Sequence, residues 1–218
     1  DIKVKKRNGR LEAFQVDKIN ASAQRACEGI KDVSGSEIVL DAQLQLFDKI
    51  TTSEIDQALI FSAREKIEKE PNYSFAAARL LLNCLYKEIF KEGVDSDAFE
   101  LQYRKTFIQN TKALVSDWRL DSRLLDFDLK KLSEALVIEN DLKFKYLGVK
   151  TLYDRYFIRS EDKIMEAPQA FWMRVAMGLS LNEKDKNESA IKFYNLMSSL
   201  LYSPSTPTLF NSGTCHSQ

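Results

Sequence analysis

The residues best suited to chemistry are Lys3, Lys5, Lys6, Arg7 and Arg10, grouped around the dipeptide Asn8-Gly9. Asn-Gly tolerates φ > 0 at both centres of a type I′ turn, so the runs on either side are expected to pair as a hairpin. A two-residue turn there sets Arg7 opposite Arg10, Lys6 opposite Leu11 and Lys5 opposite Glu12. Lys5 and Glu12 then form a cross-strand pair of opposite charge, while Arg7 and Arg10 repel unless an anion lies between them. Asp17-Lys18-Ile19 opens an amphipathic helix directly afterwards. Basic side chains and a helix N-terminus converging on one spot make a phosphate site. Two other readings fit the same spacing. The lysines keep a solvated edge soluble, or the arm grips nucleic acid or a partner's acidic surface.

Composition narrows the choice. Lysine plus arginine balances aspartate plus glutamate at 32 each, so the net charge is zero over 218 residues. A general nucleic-acid binder would be strongly basic. No apolar run is long enough to span a bilayer, and no signal peptide is expected. Three cysteines without a C-x-x-C spacing form neither a disulfide framework nor a zinc site. The expected compartment is the reducing cytoplasm. Few glycines and prolines favour helices, so the fold class is expected to be mainly α, with a little β.

The elements that must carry the basic hairpin follow from apolar spacing. A helix from Asp17 to about Gly29 keeps Ile19, Ala23 and Ala26 on one face, with Cys27 as core. Ser36 is read as the N-cap of a helix over 37–48, and Thr52 as the N-cap of a third helix with Ile55, Leu59 and Ala63 inward. A fourth runs from about Ser74 to Lys91 and ends at Gly93. Asp95-Ser96 cap a connecting helix that reaches about residue 120. Helical spacing continues through Leu129 to Leu136, and Tyr146-Leu147-Gly148-Val149 reads as a break. Residues 151–159 turn from helix to a short strand. Pro168 suits a helix's first turn, and the apolar run Phe171 to Leu181 is read as core. A charged loop at 184–187 and a helix over 190–202 follow.

The opening stretch resembles an ATP-cone, the regulatory nucleotide domain of many ribonucleotide reductase large subunits. Val4, Lys6, Arg7, Asn8, Gly9, Glu12, Phe14, Lys18 and Ile19 stand in register with that family's pattern, and Gln15 replaces its usual Asn or Asp. The resemblance implies a hairpin plus four helices over residues 1–92 that binds ATP as activator or dATP as inhibitor, with Mg2+. It implies nucleotide contacts from Val4, Lys6, Arg7, Glu12, Ala13, Phe14, Gln15, Val16, Asp17, Lys18 and Ile19, joined by Thr52 and Lys87. Thr52 and Lys87 also read simply as a cap and a solvated helix lysine. Asp56 and Asn83 depart from the family's frequent histidine and aromatic. A cone-bearing repressor is set aside, because it needs a zinc ribbon.

Three later strings resemble the same family's large subunit: Leu-Tyr-Asp-Arg-Tyr at 152–156, Pro-Gln-x-x-x-Met-Arg-Val-Ala-Met-Gly-Leu at 168–179, and Ser-Thr-Pro-Thr-Leu-Phe-Asn-Ser-Gly-Thr at 205–214. They imply a helical domain over 93–200, then the first strand of the catalytic α/β barrel over 201–218. In such a protein a ribonucleoside diphosphate is reduced to the deoxyribonucleotide for DNA synthesis. Thr206 would contact that substrate, from a strand end before Pro207. A small radical-generating subunit, a second large subunit and thioredoxin or glutaredoxin would be partners; nucleic acid and membrane would not. The reductive cysteines are expected beyond Gln218, so no catalytic residue or metal ligand is expected in this span and it should be inactive alone. Cys215 then reads as an incidental thiol and His216 as a loop histidine. A cobalamin-dependent reductase with a similar N-terminus, and a non-catalytic helical interaction module with a basic hairpin, are the alternative readings.

Overall fold

Alternation along Lys3-Val4-Lys5 places one apolar side chain between two cations, and only Val4 of the three is buried. In the computed structural model, which describes residues 2–6, 9–90 and 98–216, this triplet is the central strand β1 (Lys3–Lys5) of a small sheet. It pairs antiparallel with β2 (Leu11–Ala13). The helix α1 (Val16–Cys27) follows, then α2 (Gly35–Gln43) and a two-residue strand β3 (Ile50–Thr51) parallel to β1. Helix α3 (Thr52–Glu65) grows directly out of β3, and α4 (Tyr73–Phe90) comes next. The sheet order is β2-β1-β3.

Val4 and Ile50 pair across the sheet and are 5% and 1% exposed, so they anchor its inner face. Ile19, Ala23, Ile38, Leu59 and Ala63 fill the core that the first three helices share. Gly35 starts α2 hard against α1: a Cβ there would lie 2.9 Å from the backbone of Ala23 and Gln24. That approach moves the cap forward of the expected Ser36. Ser34, in extended conformation, accepts the Glu37 N–H at 3.3 Å. The next cap, too, lies earlier than expected, by one residue. Thr51, not Thr52, caps α3, in a reciprocal box with Glu54. The Ser62 hydroxyl donates to the Ile38 carbonyl at 2.8 Å and ties α3 to α2.

The chain divides into two compact units, Asp1–Cys84 with Phe144–Lys150, and Leu85–Lys143 with Thr151–Gln218. The expected breaks were near residues 92 and 200. Expected features at Lys91, Gly93, Asp95 and Ser96 lie outside the described residues. In the second unit, α5 (Phe99–Ser116) is followed by a 3-10 turn at Ser122–Asp126, α6 (Leu129–Glu134) and a second 3-10 turn at Ile138–Lys143. Tyr86, Phe90, Phe99 and Tyr103 pack ring to ring, with centroids 4.9 to 6.1 Å apart. The break expected at 146–149 is instead helix α7 (Tyr146–Thr151). Gly148 weakens a helix by about 1 kcal/mol relative to alanine, but here the Phe144 ring lies close enough that a Cβ would meet it at 3.3 Å. The glycine serves packing and does not end the element.

After α7 the chain makes one π-helical turn, Leu152–Tyr156, and a short hairpin of β4 (Arg159–Ser160) and β5 (Lys163–Ile164). Helix α8 (Pro168–Leu179) starts on its proline and is buried from Pro168 to Met177, as its apolar run requires. Helix α9 (Lys186–Ser198) packs on it. It begins inside the loop expected at 184–187, because Asp185 caps it by accepting the Glu188 N–H. It also ends at Ser198 and not at 202. The terminal stretch was expected to enter a barrel strand. Thr206–Asn211 is instead the short helix α10, with Pro207 in its first turn, where a missing N–H costs nothing. Among the described residues after 200, the one extended pairing is the bridge of Thr214 with Leu120.

Candidate nucleotide site on the first sheet

Strand register decides which side chains share a face. The observed pairs are Lys3 with Ala13, Val4 with Glu12 and Lys5 with Leu11. Lys6 N–H donates to the Arg10 carbonyl and Gly9 N–H to the Lys6 carbonyl, both at 2.8 Å. The expected register, with Lys5 opposite Glu12, is therefore off by one residue. Gly9 sits at φ +82°, the left-handed region, and lengthens the connection by one. A one-residue slip moves every side chain to the other face. The corrected register puts Val4, Lys6 and Glu12 together on the inner face, and Lys3 and Lys5 on the outer one. Lys6 Nζ lies 3.4 Å from Glu12 Oε2, so the ion pair expected from Lys5 is made by Lys6. Arg7 and Asn8 lie outside the described residues.

The parallel pairing to β3 brings a second segment to that face. Lys5 pairs with Thr51, so Lys6 and Thr52 come next in the same register. Thr52 is the first residue of α3, whose N-terminal end carries partial positive charge. The Thr51 N–H and hydroxyl hold the Glu54 carboxylate at 2.7 Å, which keeps its pKa below the usual range. The helix start beside the basic turn is thus that of α3. The start of α1 follows the open end of the hairpin, three residues after Ala13. Ala13 lies at the open end of the hairpin beside Lys3, and Phe14 extends the pairing by donating its N–H to the Ile2 carbonyl at 3.1 Å. Gln15 then enters α1 in an extended conformation without a side-chain cap.

The remaining expected residues follow from this layout. Phe14 is half-buried; Gln15, Val16, Asp17 and Lys18 are exposed in the first turn of α1 or just before it, and Ile19 is buried. Lys18 therefore stands at the opposite end of the strands from Lys6. Three strand steps separate Lys6 from the Lys3–Ala13 end, about 10 Å. Lys87 lies in the last turn of α4, within the second unit. Thr206, at the start of α10, shares a 3.2 Å hydrogen bond with the Tyr156 hydroxyl. Sequence reasoning missed β3, although Thr51-x-x-Glu54 is a capping-box signature that points to the boundary.

The second unit holds two buried polar clusters. Asp141 receives hydrogen bonds from Tyr86, Tyr103 and the Gln169 side-chain amide at 2.5, 3.0 and 2.7 Å. Burial pushes its pKa up to about 6, against the pull of those donors. Arg174 and Glu166, with side chains 3% and 5% exposed, form a two-point ion pair. Arg174 also donates to the Ser212 carbonyl at 2.8 Å, pinning the loop after α10.

Cys27 is buried, and desolvation raises its thiol pKa to about 11. Cys84 is half-buried and Cys215 exposed, and none of the three cysteines is in a disulfide among the described residues. Among the described residues, no helix is long and apolar enough to cross a membrane.

Comparison with known proteins finds two family matches along the chain. Residues 2–88 match the ATP cone domain, and residues 142–217 match the ribonucleotide reductase all-alpha domain. The ribonucleoside-diphosphate reductase subunit alpha of Chlamydia trachomatis is 42% identical over 219 residues, taking in 100% of this chain and 21% of that protein. The subunit alpha of Helicobacter pylori is 38% identical over 224 residues, 100% of this chain and 27% of its own length. The large subunit of Danio rerio is 32% identical, over 96% of this chain and 26% of its length. The chain thus spans 19% to 27% of the length of curated relatives such as these.

Proposed function

We infer what the first sheet does from one premise: the chain belongs to the ribonucleotide reductase large-subunit family. We propose that its ATP-cone binds adenine nucleotides as regulatory effectors. ATP activates and dATP inhibits the ribonucleoside-diphosphate reductase of which this span is the N-terminal part. The observation that carries the reading is the shared inner face of Val4, Lys6 and Glu12, with Thr52 next in register at the start of α3. Lys6 and the α3 N-terminus take the phosphates at the turn end. Glu12, already held by Lys6, offers an acceptor for the adenine amino group. Lys18 meets the phosphates from the open end, over an interval that a triphosphate and two flexible lysines bridge. Arg7 adds positive charge, and Ala13, Phe14, Gln15, Val16 and Asp17 line the open end, with Ile19 buried behind them. Mg2+ would accompany the triphosphate and offset its charge.

ATP and dATP differ by one ribose hydroxyl, worth about 1–3 kcal/mol of discrimination at a site that hydrogen-bonds it. Whatever that binding does to activity, the coupling in binding free energy is reciprocal. In the whole protein, Thr206 contacts the ribonucleoside diphosphate, and the radical arises on a small partner subunit. A second large subunit and a thioredoxin-type or glutaredoxin-type reductant complete the assembly, and the setting is the cytoplasm.

Calorimetric titration of the chain with ATP and then dATP tests the cone. Saturable binding of both, with dATP displacing ATP, is the expected result. Absence of heat and of any thermal shift overturns the reading. Steeply salt-dependent DNA binding that ATP leaves untouched would instead mark the hairpin as a nucleic-acid arm.

A further inference from the structure

A second concave, cationic surface lies within the second unit, formed by residues that the effector reading does not use. Trp118, Arg119, the segment 154–159, Phe210, Asn211, Thr214 and His216 line an open cleft of about 550 Å³. That volume suits a small molecule. The floor is aromatic: Tyr156 stacks on Phe210 with centroids 4.5 Å apart and planes 30° apart. Arg119 and His216 are brought together because 213–216 is zipped to 119–121. Asp121 N–H donates to the Gly213 carbonyl at 3.0 Å, and Cys215 N–H to the Arg119 carbonyl at 3.2 Å. Arg155 comes from the π-helical turn and Arg159 from β4. Arg159 is oriented by the Tyr153 carbonyl at 3.0 Å and by the Tyr153 ring beneath it.

Two features make this more than a polar surface. The lining holds three arginines against one carboxylate, Asp154, although the chain's net charge is zero. Among the described residues neither the Arg119 nor the Arg155 guanidinium has an ion-pair partner. Guanidinium groups match phosphate oxygens bidentately. Beside them the indole of Trp118 is 84% exposed and held at φ +56°, an unusual conformation for so bulky a residue. An exposed indole next to arginines is a stacking platform for a base.

We propose that this cleft binds a nucleoside phosphate, with the base on Trp118 and the phosphates on Arg119 and Arg155. Arg159 and His216 complete the cationic wall. The site is independent of the cone's sheet face, so its test must silence that face first.

The chain has one other tryptophan, Trp172, which is buried at 4%. A Trp172→Phe variant carrying Lys6→Ala and Lys18→Ala makes Trp118 the sole fluorescent reporter. Titration with ADP should quench it saturably. Inorganic pyrophosphate should compete, and adenosine alone should bind far more weakly. Adding Arg119→Glu and Arg155→Glu, both on exposed side chains, should weaken ADP at least about tenfold. No saturable quench, or a quench indifferent to the arginine changes, overturns the proposal. If Trp172→Phe fails to fold, calorimetry of the Lys6→Ala, Lys18→Ala chain replaces it. A single ADP site lost with the two arginines supports the cleft, and no site, or one that survives, refutes it.

Discussion

Arg174→Met removes the guanidinium that pairs with Glu166 and donates to the Ser212 carbonyl at 2.8 Å. The Glu166 carboxylate stays behind, its side chain 5% exposed, and among the described residues it keeps the Ile158 N–H at 3.0 Å as a donor. Breaking a buried pair from one side costs about 3–5 kcal/mol, because the survivor is an uncompensated charge. For a chain of this size each kcal/mol lowers Tm by about 2–4 °C. The expected drop is therefore about 6–20 °C. The assay is thermal and urea unfolding followed by circular dichroism. The double variant Arg174→Met, Glu166→Leu carries no buried charge and should recover much of the loss. A single variant within about 1 kcal/mol of the parent would refute the reasoning. So would a double variant as unstable as the sum of both single changes, because removing the partner's charge should help and not hurt.

Three other outcomes follow from the same geometry. Burial raises Asp141 to about 6, above the ordinary carboxylate value of about 3.9, so the folded state holds its proton longer than the unfolded chain. Stability from this group is greatest below about pH 4 and falls as pH rises through 6; the stability of the parent minus that of Asp141→Asn should fall by about 3 kcal/mol across that window, and a flat difference refutes it. Gly178→Ala would place a Cβ 2.1 Å from the Gly213 nitrogen and 2.2 Å from Ser212 Oγ, so backbone must move; a loss of at least about 1–3 kcal/mol in urea unfolding is expected, and an unchanged midpoint contradicts it. Thr51→Ala should cost about 1 kcal/mol by removing the α3 cap, whereas Thr52→Ala should leave stability nearly unchanged and weaken nucleotide binding; the reverse pattern in melting and titration would return the cap to Thr52.

Helix content and core were legible wherever apolar spacing was long and regular. Ile19, Ala23 and Ala26 on α1 are buried as read, and so is the run from Phe171 to Met177 on α8. Two of the misses come from a close approach that overrode a local signal. Gly35 against Ala23 moved the α2 cap to Ser34, and Gly148 against Phe144 kept α7 helical where a break was expected. At the site, the identity of the residues was readable but their arrangement was not. Asn-Gly fits both a two-residue turn and a longer connection with glycine at positive φ, and the two differ by one step of register. The step that formed puts Glu12 opposite Val4, on the face closed by Ile50, so burial of Val4 and Ile50 fixes which lysine meets Glu12. Ile50-Thr51 is too short for period-two patterning, so nothing but the capping box marked it.

The claim on which the rest depends is that the inner face of the hairpin, with α3 beside its turn and Lys18 at its open end, holds an adenine nucleotide. Calorimetric titration of ATP into the Lys6→Ala, Lys18→Ala chain tests it most directly, with circular dichroism alongside. Affinity should fall by more than about a hundredfold, since each lost charge-assisted contact is worth at least about tenfold, while the spectrum and melting curve match the parent. Parent-like affinity in a folded double variant would contradict the account.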